Sequence, residues 1–158
     1  MGLRRTIILG ASHAAALLAG FAAGIYALPI LIAPEAPGAE AVAAAAGSAQ
    51  FSGMFRRDLK DSDALHWGEG TVSIGAAAIS LQGQLAPGPD YKLYLSPEFV
   101  ETEADFQRLK ARMVRVGDVR TFENFIVPVP AAVDVAQYAA VIVWCETFSQ
   151  FITAAKYR

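Results

Sequence analysis

The sequence predicts an all-β domain, an antiparallel β-sandwich with one inserted helix, preceded by a single N-terminal transmembrane helix. Three observations predict it. The N-terminal stretch is apolar and free of charge, short runs with apolar residues at period two recur from residue 51 onward, and the segment 97–112 has its charges sorted as in a helix.

The N-terminal stretch begins behind Arg4 and Arg5, and Ile7 to Leu28 matches the length needed to cross a hydrocarbon core of about 30 Å. A secretory signal has a shorter apolar region with a cleavage site close behind it. Here the nearest small-residue pattern, Gly47-Ser48-Ala49, lies well downstream, which favours an uncleaved anchor. Lys/Arg bias at the ends of a span sets its orientation, so residues 1–5 are expected as a cytoplasmic stub and 6–32 as the anchor. The expected placement is therefore single-pass, with everything beyond the anchor extracytoplasmic. His13 lies inside the span near its cytoplasmic end and can stay neutral there.

Residues 33–50 change character. Pro34 and Pro37 follow Pro29 and bar a continuous helix, and the alanines after them carry little to bury, so this segment reads as a linker with a loose helix at 39–46.

From 51 to 158 the texture is that of strands. Thr71–Ile74, Ile79–Gln82, Tyr91–Leu95, Met113–Val116, Asn124–Val127, Val141–Cys145 and Phe151–Ala155 are short runs of strand character, separated by turn chemistry such as Pro87-Gly88-Pro89-Asp90. Seven or eight such runs in one domain fit a sandwich. In the interrupting segment, Ser96-Pro97 offers an N-cap followed by proline at the first helical position. Acidic residues come early and basic ones late, and Phe106, Leu109 and Met113 form a narrow apolar stripe.

Composition excludes several functions. A net charge of −2 gives no basic surface for nucleic acid. There is no phosphate-cradling glycine motif and no G-x-S-x-G elbow. Outside the anchor there is one histidine and one cysteine, too few for a conventional zinc centre, so no metal site is expected. Asp61 and Asp63 sit in a polar loop and read as solvated. Whether the chain is an enzyme stays open.

Two residues carry the remaining chemistry. Cys145 is the single cysteine and cannot close an intramolecular disulfide. It can be a buried small hydrophobe, a reactive thiol, or a ligand to a prosthetic group. In the strand Val141–Cys145 it shares a face with Val141 and Val143, while Ile142 and Trp144 point the other way. His66 precedes a strand among Trp67, Gly68 and Gly70 and is either a hydrogen-bonded structural residue or a neighbour of Cys145. In the second case its imidazole would lower the thiol pKa or supply a haem ligand.

The segments Phe51–Phe55, His66–Val72, Gly88–Ser96, Val116–Val119, Asn124–Pro128 and Val141–Cys145 with Phe148, Phe151 and Ala154 run in order through 51–158. Together they resemble the DM-thirteen (DM13) domain family, including its membrane-anchored bacterial type. The resemblance implies extracytoplasmic electron transfer through the cysteine, as a free thiol or by holding a group such as haem. It makes Cys145 the candidate catalytic residue, Cys145 and His66 the candidate cofactor-binding pair, and an unknown redox protein the partner. The alternative is a non-catalytic envelope-binding module with a structural cysteine, presenting Tyr91, Tyr94, Phe99 or Phe122 as a contact patch to a protein or envelope ligand.

Overall fold

A computed structural model describes residues 2–158. Helix α1, Leu3–Ile32, is long and apolar enough to cross a membrane, with mean hydropathy 2.1 over its most apolar window. Pro29 lies in its last turn and is buried.

Eight strands follow: β1 (Phe51–Phe55), β2 (Gly68–Ile74), β3 (Ala78–Leu85), β4 (Tyr91–Ser96), β5 (Val114–Val119), β6 (Glu123–Pro128), β7 (Ala140–Cys145) and β8 (Gln150–Lys156). They form two antiparallel four-stranded sheets, β1-β2-β3-β6 and β5-β4-β7-β8. The sheets face each other across a core that takes Val72, Ile74, Ile79 and Leu81 from the first and Leu93, Leu95, Val141 and Val143 from the second. Both sheets are mainly β-branched or leucine on this face, as the pleat requires.

Strand β7 is buried at all six positions. Its Val141, Val143 and Cys145 belong to the core between the sheets. Ile142 and Trp144 point to the outer face, where they meet Phe106 and Leu109 in a second, smaller core. Gly70 in β2 has φ +121°, a conformation that L side chains rarely adopt. A Cβ there would run into the backbone of Gln82 and Gly83.

The inserted helix starts later than its sequence signals suggest. Ser96 ends β4, paired with Ala140, and its hydroxyl donates to the Glu98 carbonyl at 2.6 Å. Helix α3 spans Glu103–Leu109, preceded by α2 (Ala39–Ala46) in chain order, and ends in a 3₁₀ turn at Lys110–Arg112. Its N-cap is Thr102, whose Oγ1 accepts the Asp105 amide at 3.1 Å. Ladder pairing of Ser96 wins over the capping preference, and Thr102-x-x-Asp105 supplies a second cap six residues on.

The segment 33–50 lies against the domain. Val42 of α2 is buried, α2 contacts β2, β3 and β6, and Asn124 Nδ2 donates to the Pro37 carbonyl at 3.3 Å.

Candidate functional site

Strand direction decides what gathers at each end of the sandwich. Gly68, Leu85, Tyr91, Val119, Glu123, Cys145 and Gln150 all mark the same end. The β1–β2 loop carrying His66, the Ala86–Asp90 turn and the Glu146–Ser149 turn therefore converge there. The last turns of α1 lie against this end too.

Between them is a cavity of about 410 Å³, lined by Cys145, His66, Tyr91, Phe148, Ile152 and Gln150, by Leu65 and Pro87–Pro89, and by Ala22, Ile25 and Tyr26 of α1. Its size is that of a small-molecule pocket. The structure thus brings the two residues singled out in the sequence, Cys145 and His66, to one wall-sharing space. No hydrogen bond joins them among the described residues, so they line the cavity as separate donors.

The thiol of Cys145 is buried, with 2% of the residue exposed. Burial pushes its pKa up, and the Asp90 carboxylate adds to that. The backbone amides of Phe148, Asp90 and Thr147 act in the opposite direction without overcoming burial. The depressed pKa expected of a free reactive thiol is therefore absent from this environment. The two flanking turns are tied together, the Glu146 amide donating to the Asp90 carbonyl at 3.0 Å and Thr147 Oγ1 to Asp90 Oδ2 at 3.2 Å.

His66 is oriented by a neighbour that its loop hides in the sequence. Asp63 Oδ2 lies 2.9 Å from His66 Nδ1, and Oδ1 accepts the amides of Leu65 and His66 at 2.7 and 2.8 Å. The bond to His66 holds the Asp63 carboxyl below its ordinary pKa. A carboxylate only accepts, so Nδ1 carries a proton, and in the neutral imidazole Nε2 is the nitrogen whose lone pair a ligand could take. Asp63 thus orients the His66 ring, whereas its polar loop alone reads as solvated.

The loop itself is pinned. Arg57 makes a two-pronged ion pair to Glu69 at 2.7 and 2.8 Å and stacks its guanidinium 3.3 Å over Trp67. The Ala86 amide donates to the Trp67 carbonyl at 2.9 Å. On the cavity wall, the Tyr91 hydroxyl donates to the Ala86 carbonyl at 2.8 Å, and burial pushes its phenol up. Gly88 is needed opposite this ring, since a Cβ at 88 would meet its edge at 2.6 Å.

Beyond the cavity, the other sequence candidates do not assemble. His13 Nδ1 is 2.7 Å from the Leu9 carbonyl of its own helix. Tyr91 and Tyr94 are buried at 3% and 7% exposure, and Phe122 packs on the core. Of the aromatic contact patch considered for a binding module only Phe99 is exposed, because Tyr91 faces the core between the sheets and Tyr94 faces the outer core, where Phe106 and Trp144 cover it. Among the described residues, no group of three His, Cys, Asp or Glu side chains could hold a metal ion.

No curated protein and no solved structure matches the chain. A family profile does, described as "Electron transfer DM13", over residues 55–157. That match spans the β domain from the end of β1 to the residue after β8, and includes both His66 and Cys145. The chain belongs to the DM13 family of electron-transfer domains.

Proposed function

We propose that the chain is an extracytoplasmic electron-transfer module, anchored by α1 with Arg4 and Arg5 on the cytoplasmic side, and that Cys145 works by ligating a prosthetic group. The observation that carries this reading is the shared cavity of Cys145 and His66. The buried thiol with a raised pKa argues against exchange as a free thiolate and for a sulfur that ionises when a metal centre binds.

The donor set suits haem. Thiolate and imidazole both ligate haem iron, the remaining lining is largely apolar, and with Nδ1 bonded to Asp63 the His66 Nε2 would be the nitrogen available to the iron. Cys145 and His66 would hold the iron, and amides aimed at the sulfur would favour its anionic form. A bound haem would supply one-electron redox chemistry; Cys145 and His66 would bind it, Asp63 would orient the imidazole, and the apolar lining would exclude water.

The test is loading of the purified full-length chain with haem, followed by absorption spectroscopy. A thiolate-type spectrum that is lost in Cys145→Ser and altered in His66→Ala supports the reading. Unchanged loading in both variants would leave Cys145 a buried structural residue of a binding module.

A further inference from the structure

The register between α1 and the β domain fixes where the cavity opens. With Arg5 at the cytoplasmic boundary, a core of about 30 Å is filled by roughly 20 helical residues, ending near Tyr26 to Leu28. Tyr26 is itself a residue type enriched at the membrane–water boundary. Yet the domain already meets α1 at Ala22 and Ile25, which line the Cys145 cavity. From Ala22 to Leu28 the helix rises about 9 Å. The cavity mouth is thus placed at the depth of the outer acyl chains.

The side chains around that mouth suit lipid. Leu65 is 56% exposed and Phe148 47% exposed, on two different loops, with Pro87 and Pro89 between them. A second, almost wholly apolar hollow of about 420 Å³ continues from it, bounded by Phe21, Ile25, Leu28 and Ile32 of α1 and by Pro89, Thr147 and Phe148. The carboxylates near the mouth are partnered locally: Asp63 is hydrogen-bonded to His66, and Asp90 is paired with Lys92 at 2.6 Å. Covering the exposed parts of Leu65 and Phe148 with acyl chains removes apolar surface from water, which favours contact with a bilayer.

We propose that this end of the sandwich is inserted into the outer leaflet through Leu65, Phe148 and the Pro87–Pro89 turn, so that the Cys145 cavity opens to lipid and not to water. The partner is the phosphatidyl-lipid surface itself, and molecules that reach Cys145 enter from the bilayer. The inference rests on the anchor reading above and adds the orientation of the domain.

The experiment uses the full-length chain reconstituted in phosphatidylcholine vesicles. Tryptophan is introduced by Phe148→Trp, Leu65→Trp and, at the opposite end in the β2–β3 turn, Ala77→Trp. Lipids brominated in the acyl chain should quench the added emission at 148 and 65 about twofold or more beyond that at 77, with aqueous iodide in the reverse order. In the unsubstituted chain, a lipid-soluble maleimide should modify Cys145 about tenfold faster than a sulfonated, charged one, and detergent should shrink that ratio. Chain that floats with the vesicles but shows iodide quenching at all three positions and equal maleimide rates overturns the insertion while leaving the anchor standing. Chain that fails to float overturns both.

Discussion

Asp63 and His66 are three residues apart, and the 2.9 Å contact between Oδ2 and Nδ1 decides which imidazole nitrogen is free to act. Two residues earlier, Asp61 Oδ2 accepts the Glu103 amide at 2.6 Å and so serves the start of α3 instead. The neighbouring carboxylates have separate tasks, and their variants should separate accordingly. Asp63→Ala should weaken haem affinity about 10–100-fold, as loss of an orienting partner does elsewhere, and should also cost about 1–2 kcal/mol because Oδ1 holds the Leu65 and His66 amides. Asp61→Ala should cost about 1 kcal/mol of stability and leave affinity alone. Titration with haem and urea unfolding read the two effects; equal affinities for both variants would sink the assignment.

The ligand-free thiol should be sluggish. Because burial raises the Cys145 pKa, its alkylation by iodoacetamide at pH 8 should be well below that of the unfolded chain and should keep rising above pH 9. A plateau reached by pH 7 would instead mark an activated thiolate, and the ligand reading would fail.

Alkaline pH should unfold the domain through its phenols. Tyr91, Tyr94 and Tyr157 all have raised folded-state values, first by burial, and Tyr94 also by its hydrogen bond to Glu146. A raised value stabilises the fold fully below the ordinary tyrosine pKa of about 10 and loses that contribution as pH climbs toward the folded value. Phenolate absorbance from these three should therefore appear together with loss of near-ultraviolet circular dichroism, above about pH 10. Full ionisation within an intact fold would contradict it.

The opposite end of the pH scale is governed by Asp118, which takes hydrogen bonds from Arg115 at 2.6 Å, Lys92 at 3.1 Å and Arg120 at 3.2 Å. These hold its carboxyl far below the usual range. Its contribution is present above the ordinary value near pH 4 and fades as pH falls toward the folded value. Asp118→Asn should cost about 1–2 kcal/mol at pH 7, after allowance for solvent screening, and less at pH 2, where the contribution has begun to fade. Urea midpoints at pH 7 and pH 2 check this.

The outer-face core should be separable from the site. Phe106 stacks on Trp144 with ring centroids 3.9 Å apart and planes 7° from parallel, while Tyr94 meets Phe106 edge-on at 5.3 Å. Phe106→Ala should cost about 3–5 kcal/mol, yet leave Cys145 alkylation in the remaining folded protein unchanged, since the two look out of opposite faces of β7. A parallel change in thiol reactivity would show that the faces are coupled.

Local pattern and long-range assembly account for what could be read in advance. Period-two alternation made most strands readable, and it placed Cys145 with Val141 and Val143 because a strand's faces follow from counting. Strand β1 was harder: Phe51-Ser52-Gly53-Met54-Phe55 offers little alternation and is held by its ladder to β2. The helix starts later than its signals suggest because Ser96 is held in the β4 ladder opposite Ala140, and its hydroxyl closes a local turn with Glu98 instead of starting a helix. The cavity was not legible at all. Its walls come from three loops and α1, and their meeting depends on strand order, which composition does not encode. The roles of Asp63 and Asp61 were hidden for the same reason, since an aspartate in a polar loop looks alike whether it caps a distant helix or holds an imidazole.

The docking of α2 on the first sheet has a consequence for encounter kinetics. With Val42 buried and Pro37 tied to Asn124, the chain left free between the end of α1 and the start of α2 is only residues 33–38. Fully extended, six residues reach about 20 Å, and most of that is already taken up in lying along the domain. The domain is therefore on a short leash from α1, and with α1 anchored as proposed it would be held at the bilayer surface. On the anchored electron-transfer reading proposed above, a redox partner in the same membrane would meet it by lateral diffusion in two dimensions, at a high effective concentration. A soluble partner gains none of that advantage. Lengthening residues 33–38 with glycine and serine should slow exchange with a membrane-bound partner while leaving a soluble one unaffected.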